Sequence, residues 1–405
     1  MHEYSHLSVT LSNFTLSFIF AFMLKNLING EPVRHLYVIG NGFDRYHGAK
    51  STYWDFRGYL IRHDDFALKM FELFFGSRSM MNNFQSIKDY LLCLQYGRAL
   101  PAPRNTWACK CLWSDFERYL GELNRERVFD FVDEDLSELH EEEGGSGANF
   151  HAIIERVSDI VKECSVEMQY HFHRWINTVH YEKGFRKKML QLDGDAAFLN
   201  FNYTLFLETE YGIPREQIVY IHGDRRQRFG KLVLGHRVED DEAAFDEWIH
   251  KNRNRRRYRP NLKGKNGRYF ANDKLVYLAF FLENETKGNW RLPIRYYAVD
   301  LIEERLEDYY KENVKRCGEI IDRNWGFFKS LRELQEITVL GHSLSDVDLP
   351  YFEAILDNVV DPEYLKWQFS YHNDADICRI KRFCRQLKIP KVENVQLFSM
   401  SDLKR

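Results

Sequence analysis

The stretch Leu36-Tyr37-Val38-Ile39-Gly40-Asn41-Gly42-Phe43-Asp44 decides how this chain reads. His35 to Ile39 is short, apolar and closed by Gly40, which predicts a buried strand. The Gly40-Asn41-Gly42 turn then puts bare backbone N–H groups at the carboxyl edge of a sheet, and Asp44 adds an acid there. Open α/β folds bind nucleotides at that edge.

Working outward, Ser51 to Ile61 reads as a helix, with Ser51 or Thr52 as N-cap and Asp55 in its first turn. Helical patterns dominate to about residue 190. The clearest runs through Phe150, Ile153, Ile154, Val157, Ile160, Val161, Cys164, Met168, Phe172, Trp175 and Ile176, one apolar face at steps of three and four. His171, His173 and His180 lie along it at no metal-ligand spacing. Residues 133–149 are acidic and reach a Gly-Gly-Ser-Gly run, the composition of a solvated connection.

From Ala196 the texture changes to short apolar strands: 196–201, 218–221 and 232–234. Helices are expected over 243–249, 275–282 and 299–334, the last with a break near Gly318. Strands follow at 337–340, 368–371 and 395–398, with helices from about 349 and over 374–387. Alternating strands and helices predict an α/β fold, a mostly parallel Rossmann-like sheet flanked by helices. The helical block over about 61–190 reads as an insertion after the first βα unit. Residues 1–33 read as an N-terminal extension, and 34–405 as the α/β domain.

The chain has 405 residues, enough for a large core, and a net charge of −3, which does not mark the whole molecule as a polyanion binder. Its cysteines (93, 109, 111, 164, 317, 378 and 384) number seven and include no C-x-x-C pair, against a disulfide framework or a structural zinc. A reducing, cytoplasmic setting fits this usage. The apolar run 14–24 is too short to span a bilayer and has no basic residue before it.

Four strand ends have the same polar, glycine-rich character. They are Gly40-Asn41-Gly42-Phe43-Asp44, Asn200-Phe201-Asn202-Tyr203-Thr204, His222-Gly223-Asp224 and Gly341-His342-Ser343-Leu344-Ser345-Asp346. In a parallel sheet the carboxyl ends lie on one edge, so four polar ends converge on one crevice. Gly40 and Gly42 permit close backbone approach to a phosphate. Asn202 donates and accepts, as a ribose hydroxyl or a positioned water requires. His222 is the best general base, because imidazole titrates near neutral pH. Ser343, with Asp346 as a helix cap, suits a second phosphate or ribose. Arg225, Arg226 and Arg228 follow closely, at the mouth of such a pocket.

Ile39-Gly40-Asn41-Gly42-Phe43-Asp44 followed by Ser51-Thr52-Tyr53-Trp54-Asp55-Phe56 resembles the opening of the AbiH family of bacterial phage abortive-infection proteins. Phe201-Asn202-Tyr203-Thr204, Ile221-His222-Gly223, Leu234-Gly235-His236 and the block from Leu340 through His342, Ser343, Asp346 and Asp348 to Phe352 match later blocks of that family in order. The resemblance covers about residues 35–400. AbiH-type sequences are in turn remotely similar to sirtuin-like NAD-binding domains. That similarity implies an NAD+ glycohydrolase in which Asn202 and His222 support cleavage of the nicotinamide–ribose bond. It also implies NAD+ contacts from Gly40, Asn41, Gly42, Asp44, Thr204, Gly341, His342, Ser343 and Asp346. The four-cysteine zinc module of sirtuins has no counterpart here, so zinc is not expected. Asp44 stands where a small or hydroxyl residue would face a pyrophosphate, and a carboxylate there is repulsive without a cation. Capping a helix, holding a ribose hydroxyl and binding Mg²⁺ are its alternatives.

Residues 251–268 hold nine Lys or Arg, with Tyr258 and Tyr269 in or beside the run. Such a run either neutralises phosphates of a nucleic acid or forms a solvated loop, and the loop is the commoner outcome. Two functions therefore fit. One is a defence effector that hydrolyses NAD+. The other is a nucleotide-binding, non-hydrolytic module acting through nucleic-acid or protein contacts of the basic loop. The expected partners are a nucleotide, a phage-derived trigger or partner protein and a homo-oligomer, with no membrane.

Overall fold

The computed structural model describes residues 32–75, 106–124, 127–128, 147–228, 232–237, 292–389 and 392–404. Most of the N-terminal extension, the acidic connection, the basic run and the helices expected over 243–249 and 275–282 lie outside them. The chain divides into two compact units. The first holds residues 1–56, 172–234 and 315–405, and the second 57–171 and 235–314.

The first unit is built on six strands: β1 (His35–Ile39), β2 (Ala197–Asn200), β3 (Ile218–Tyr220), β4 (Glu336–Leu340), β5 (Lys366–Ser370) and β6 (Val395–Phe398). Every pairing is parallel, in the order β3-β2-β1-β4-β5-β6. That is the Rossmann order, whose direction reverses between β1 and β4. Alternate residues feed opposite layers. Leu36, Val38, Leu199, Ile337, Val339, Trp367 and Phe369 join one core, and Tyr37, Ile39, Phe198, Ile218 and Leu340 join the other. Burial on both faces is why β1 and β4 read as near-continuous apolar runs. Helix α1 (Asn41–Tyr46) follows β1 directly, and α2 (Leu349–Asn358) and α3 (Asp374–Gln386) follow β4 and β5. Asn373 caps α3, accepting from the Asp376 N–H in a capping box.

The described residues of the second unit are mainly helical. In it, the helix Asp65–Phe75 buries Leu68, Met70, Phe71, Leu73, Phe74 and Phe75. Its buried Glu72 pairs with Arg57 Nε at 2.6 Å and accepts from Trp113 Nε1 at 2.9 Å. The helix Leu292–Asn313 packs on the helix Gly147–Lys162.

Two local expectations are corrected and a third is refined. The apolar face over 150–176 is not one regular helix: a π-helical turn at Glu163–Glu167 separates Gly147–Lys162 from Met168–Ile176. At that turn the Ser165 hydroxyl donates to the Val161 carbonyl. Single π-turns of this kind occur mostly inside α-helices. Residues 232–234 form no strand. The Val233 N–H donates to the His222 carbonyl and its carbonyl accepts from the Tyr203 hydroxyl, so the segment straps the ends of β2 and β3. The helix expected over 299–334 breaks at residues 314–316, close to the expected position near Gly318, and is interrupted again at Asn324, giving Leu292–Asn313, Cys317–Arg323 and Trp325–Ser330. The break turns Lys315 into the first unit's interior.

Candidate functional site

The polar strand ends of the first unit sort into two buried clusters. The first is centred on Asp44, which follows β1 and is 2 % exposed. Its Oδ1 accepts from Asn202 Nδ2 at 3.0 Å, and its Oδ2 accepts from Thr204 Oγ1 at 2.6 Å. The Asn202 amide nitrogen also donates to the Gly40 carbonyl. Asp44, Asn202 and Thr204 thus tie the turn after β1 to the end of β2. Burial pushes the Asp44 carboxyl up to about 6, partly offset by these hydrogen bonds and by the Arg225 charge. With the Asn202 nitrogen occupied, Oδ1 is its remaining atom for a ligand.

A stability test follows from the Asp44 shift. A carboxyl whose pKa is raised in the fold holds its proton more tightly there than in the unfolded chain, so its contribution is favourable at low pH. That contribution is lost as pH rises from the ordinary 3.8 through about 6. The shift corresponds to about 3 kcal/mol. Asp44→Asn, which can keep accepting from Asn202 and donate instead to the Thr204 hydroxyl, is expected to remove this slope. In urea denaturation the variant should gain on the wild type between about pH 4.5 and about pH 7.5, and parallel curves would contradict it.

The turns after β1 and β4 interlock. Gly40 N–H donates to the Leu340 carbonyl, Gly42 N–H to the Gly341 carbonyl at 2.7 Å, and Gly341 N–H to Ser370 Oγ. A Cβ on Gly40 would lie 2.4 Å from the His342 Cα, and one on Gly42 2.7 Å from the Gly341 Cα. The room that these glycines leave is filled by the opposite turn, not by open space for a phosphate. Asn41 and Ser343 are the exposed residues of the two turns. Asn41 exchanges two hydrogen bonds with Ser51, its Nδ2 donating to the Ser51 carbonyl and its Oδ1 accepting from the hydroxyl. That reciprocal pair joins the Gly40–Asp44 block to the Ser51–Phe56 block.

The second cluster surrounds Asp348, in the 3₁₀ turn Asp346–Asp348 after β4. Lys315 Nζ lies 3.1 Å from its Oδ1, with the lysine side chain fully buried. His222 Nε2 lies 3.5 Å from Oδ1, and His342 Nε2 lies 3.5 Å from Oδ2. The Leu344 N–H donates to His342 Nδ1 at 2.9 Å, which leaves the ring proton on Nε2, facing Asp348. Leu344 makes that bond from a left-handed conformation, φ 54°, unusual for leucine. Such local strain gathers at functional sites.

His222 is buried against Phe201, their ring centroids 5.1 Å apart and perpendicular. The ring bonds the Phe201 backbone, while Nε2 is buried without a hydrogen-bond partner. The ring therefore carries its proton on Nδ1 and presents a bare lone pair at Nε2. Burial, then the Lys315 charge and His342, hold the imidazole well below its ordinary pKa, so it is neutral at pH 7. A buried neutral imidazole with an unused lone pair is the form a general base requires.

Asn202 and His222 thus belong to different clusters: Asn202 with Gly40, Asp44 and Thr204, His222 with His342 and Asp348. Asp346 belongs to neither, being exposed and bonded to Gln386 Nε2 at 3.0 Å. Asp348 and Lys315 are members that sequence reasoning missed. Asp348 lies in the family-like block from Leu340 to Phe352, but the Asp-Val-Asp spacing there does not say which acid turns inward. Arg226 grips Asp224 and Glu208 through its guanidinium. Arg225 donates to the Val179 carbonyl. Among the described residues no group of three or more His, Cys, Asp or Glu could hold a metal ion, and no helix is long and apolar enough to cross a membrane.

No curated protein and no solved structure matches the chain. A family model does: that of bacteriophage abortive infection AbiH matches residues 36–371, from the second residue of β1 to just past β5. The matched span contains the interlocked glycine turns and every member of both polar clusters, and over it this chain belongs to the bacteriophage abortive infection AbiH family.

Proposed function

We propose that this abortive-infection protein is an NAD+ glycohydrolase with His222 as its base. The observation that carries the reading is the buried, neutral His222 with an unpartnered Nε2 at the carboxyl end of β3. The parallel sheet with its reversal between β1 and β4 supports a nucleotide ligand at that edge. Cleavage breaks the bond between ribose C1′ and the nicotinamide nitrogen, and the bonding pair neutralises the pyridinium. Water adds to the oxocarbenium-like C1′, and its proton passes to His222 Nε2. Asn202 Oδ1 orients the ribose or the water. Asn41 and Ser343, exposed beside the interlocked turns, are the groups that meet the diphosphate. The shielding of His222 suits an effector held silent until infection.

Purified protein is incubated with NAD+, alone and with extract of phage-infected cells, and released nicotinamide is measured. His222→Ala is expected to lower the rate by at least about 100-fold. No release by the wild type under either condition would remove this reading.

A further inference from the structure

We infer that Lys315 is a positioning residue for His222: by holding the Asp348 carboxylate it keeps both neighbouring imidazoles out of an ion pair and leaves His222 Nε2 a free base. This rests on the reading of His222 as the base, but the device itself is read from side-chain geometry.

Asp348 is a buried carboxylate with three nitrogen neighbours: Lys315 Nζ at 3.1 Å, His222 Nε2 at 3.5 Å and His342 Nε2 at 3.5 Å. A buried carboxylate needs a cation or a set of donors. Lys315 is the nearest of the three and the one in hydrogen-bond contact. With that ammonium in place, a second positive charge on either ring would face Lys315 as well as Asp348 and would be paired by neither alone. Without it, an imidazolium is the one counter-charge left among these three neighbours. His222 Nε2 would then take a proton, and the base would be lost at neutral pH.

Among the described residues, titratable groups face His222 from several elements. They are Asp348 and His342 after β4, Lys315 after the helix Leu292–Asn313, Tyr351 at the start of α2 and Tyr203 after β2. Among them Asp348 carries the one carboxyl group and Lys315 the one amine. The tautomers follow. His342 accepts from Leu344 at Nδ1 and turns N–H toward Asp348. His222 bonds the Phe201 backbone and turns a lone pair toward it. The two rings are therefore held as opposite tautomers around one carboxylate.

The test is imidazole ¹⁵N NMR on the full chain labelled at histidine, with His222→Gln and His342→Gln used for assignment. In the wild type at pH 7 both rings are expected neutral, His222 protonated at Nδ1 and His342 at Nε2. In Lys315→Met the His222 ring is expected to become an imidazolium, because His342 Nδ1 is already accepting from Leu344, and its titration should move up by at least about one pH unit. Lys315→Arg should restore the neutral rings, and so should Lys315→Met combined with Asp348→Asn, because the carboxylate that draws the proton is then gone. Should Lys315→Met fail to fold, Lys315→Gln, which keeps a donor for Asp348 without the charge, is read in the same way. An imidazolium in the wild type at pH 7, or neutral rings in the folded Lys315→Met or Lys315→Gln protein, would overturn the inference. Absence of nicotinamide release would remove the proposed activity and leave this result standing. If the activity is present, the acidic limb of the kcat/KM profile should rise by the same pH interval in Lys315→Met.

Discussion

Gly341→Ala is expected to lower the stability of the first unit by about 4 kcal/mol or more, enough to prevent folding of a marginal domain. An added Cβ would sit 2.3 Å from the Phe43 nitrogen and 2.4 Å from the Gly42 carbonyl carbon. Both contacts are backbone, on the turn that also supplies Asp44, so no flexible side chain can move aside. Gly341 also has φ +64°, a conformation that a side chain disfavours. Strain and overpacking add here, each worth about 1–3 kcal/mol. Gly212→Ala separates the two terms. Gly212 has a similar φ of +69° but nothing within 4 Å of its would-be Cβ. Its loss should be about 1 kcal/mol, from the backbone alone. Urea denaturation followed by circular dichroism measures both variants, and equal losses would show that the interlock of the two turns contributes nothing.

Asp348→Ala should destabilise by about 3–5 kcal/mol, because it leaves the Lys315 ammonium buried without its carboxylate. The lysine side chain is fully buried, so its charge cannot reach water without opening the fold. Replacing both partners tells pairing apart from packing. Lys315→Met with Asp348→Leu removes the charges while keeping apolar volume, and should recover most of the loss. A double variant as unstable as Asp348→Ala would mean that shape, not charge, makes this position sensitive. The same pair of variants bears on the site. Asp348→Ala removes the anion that His222 and His342 share, so any loss of nicotinamide release in that variant must be read beside its stability.

The strands are the most legible part of the chain. His35–Ile39 and Val395–Phe398 fall where the apolar runs end, and β4 and β5 begin within two residues of expectation. Burial on both faces makes such runs apolar throughout, and a glycine or polar residue closes them. The strap at 232–234 misleads for the same reason. Leu232-Val233-Leu234 has the composition of a strand, but its backbone bonds go to His222 and to the Tyr203 hydroxyl rather than along a ladder.

The polar strand ends are legible as a group but not in their assignments. Their residue types and order place Asp44, Asn202, Thr204, His222 and His342 at one edge of the sheet. They do not show that Asp44 is held by Asn202 and Thr204, which answers what the acid does beside two glycines. Nor do they show that Gly40 and Gly42 make room for Gly341 rather than for a ligand, since a glycine's vacancy has no sequence mark of its occupant. Asp346 and Asp348 differ by two positions in a 3₁₀ turn, a rotation of roughly 240°, so one faces solvent while the other is buried. Lys315 carries no local signal at all. Its burial depends on a helix break and on a carboxylate 33 residues away.

By itself, then, the sequence determined the α/β class, the edge of the sheet where the polar groups gather and the family, because these depend on periodicity and on the order of short motifs. The tertiary structure alone decided the strand order, the pairing of the glycine turns and the grouping of Lys315, His222 and His342 around Asp348. Those depend on which side chains meet across long separations, and contact energies between buried groups are set by distance and orientation rather than by position along the chain.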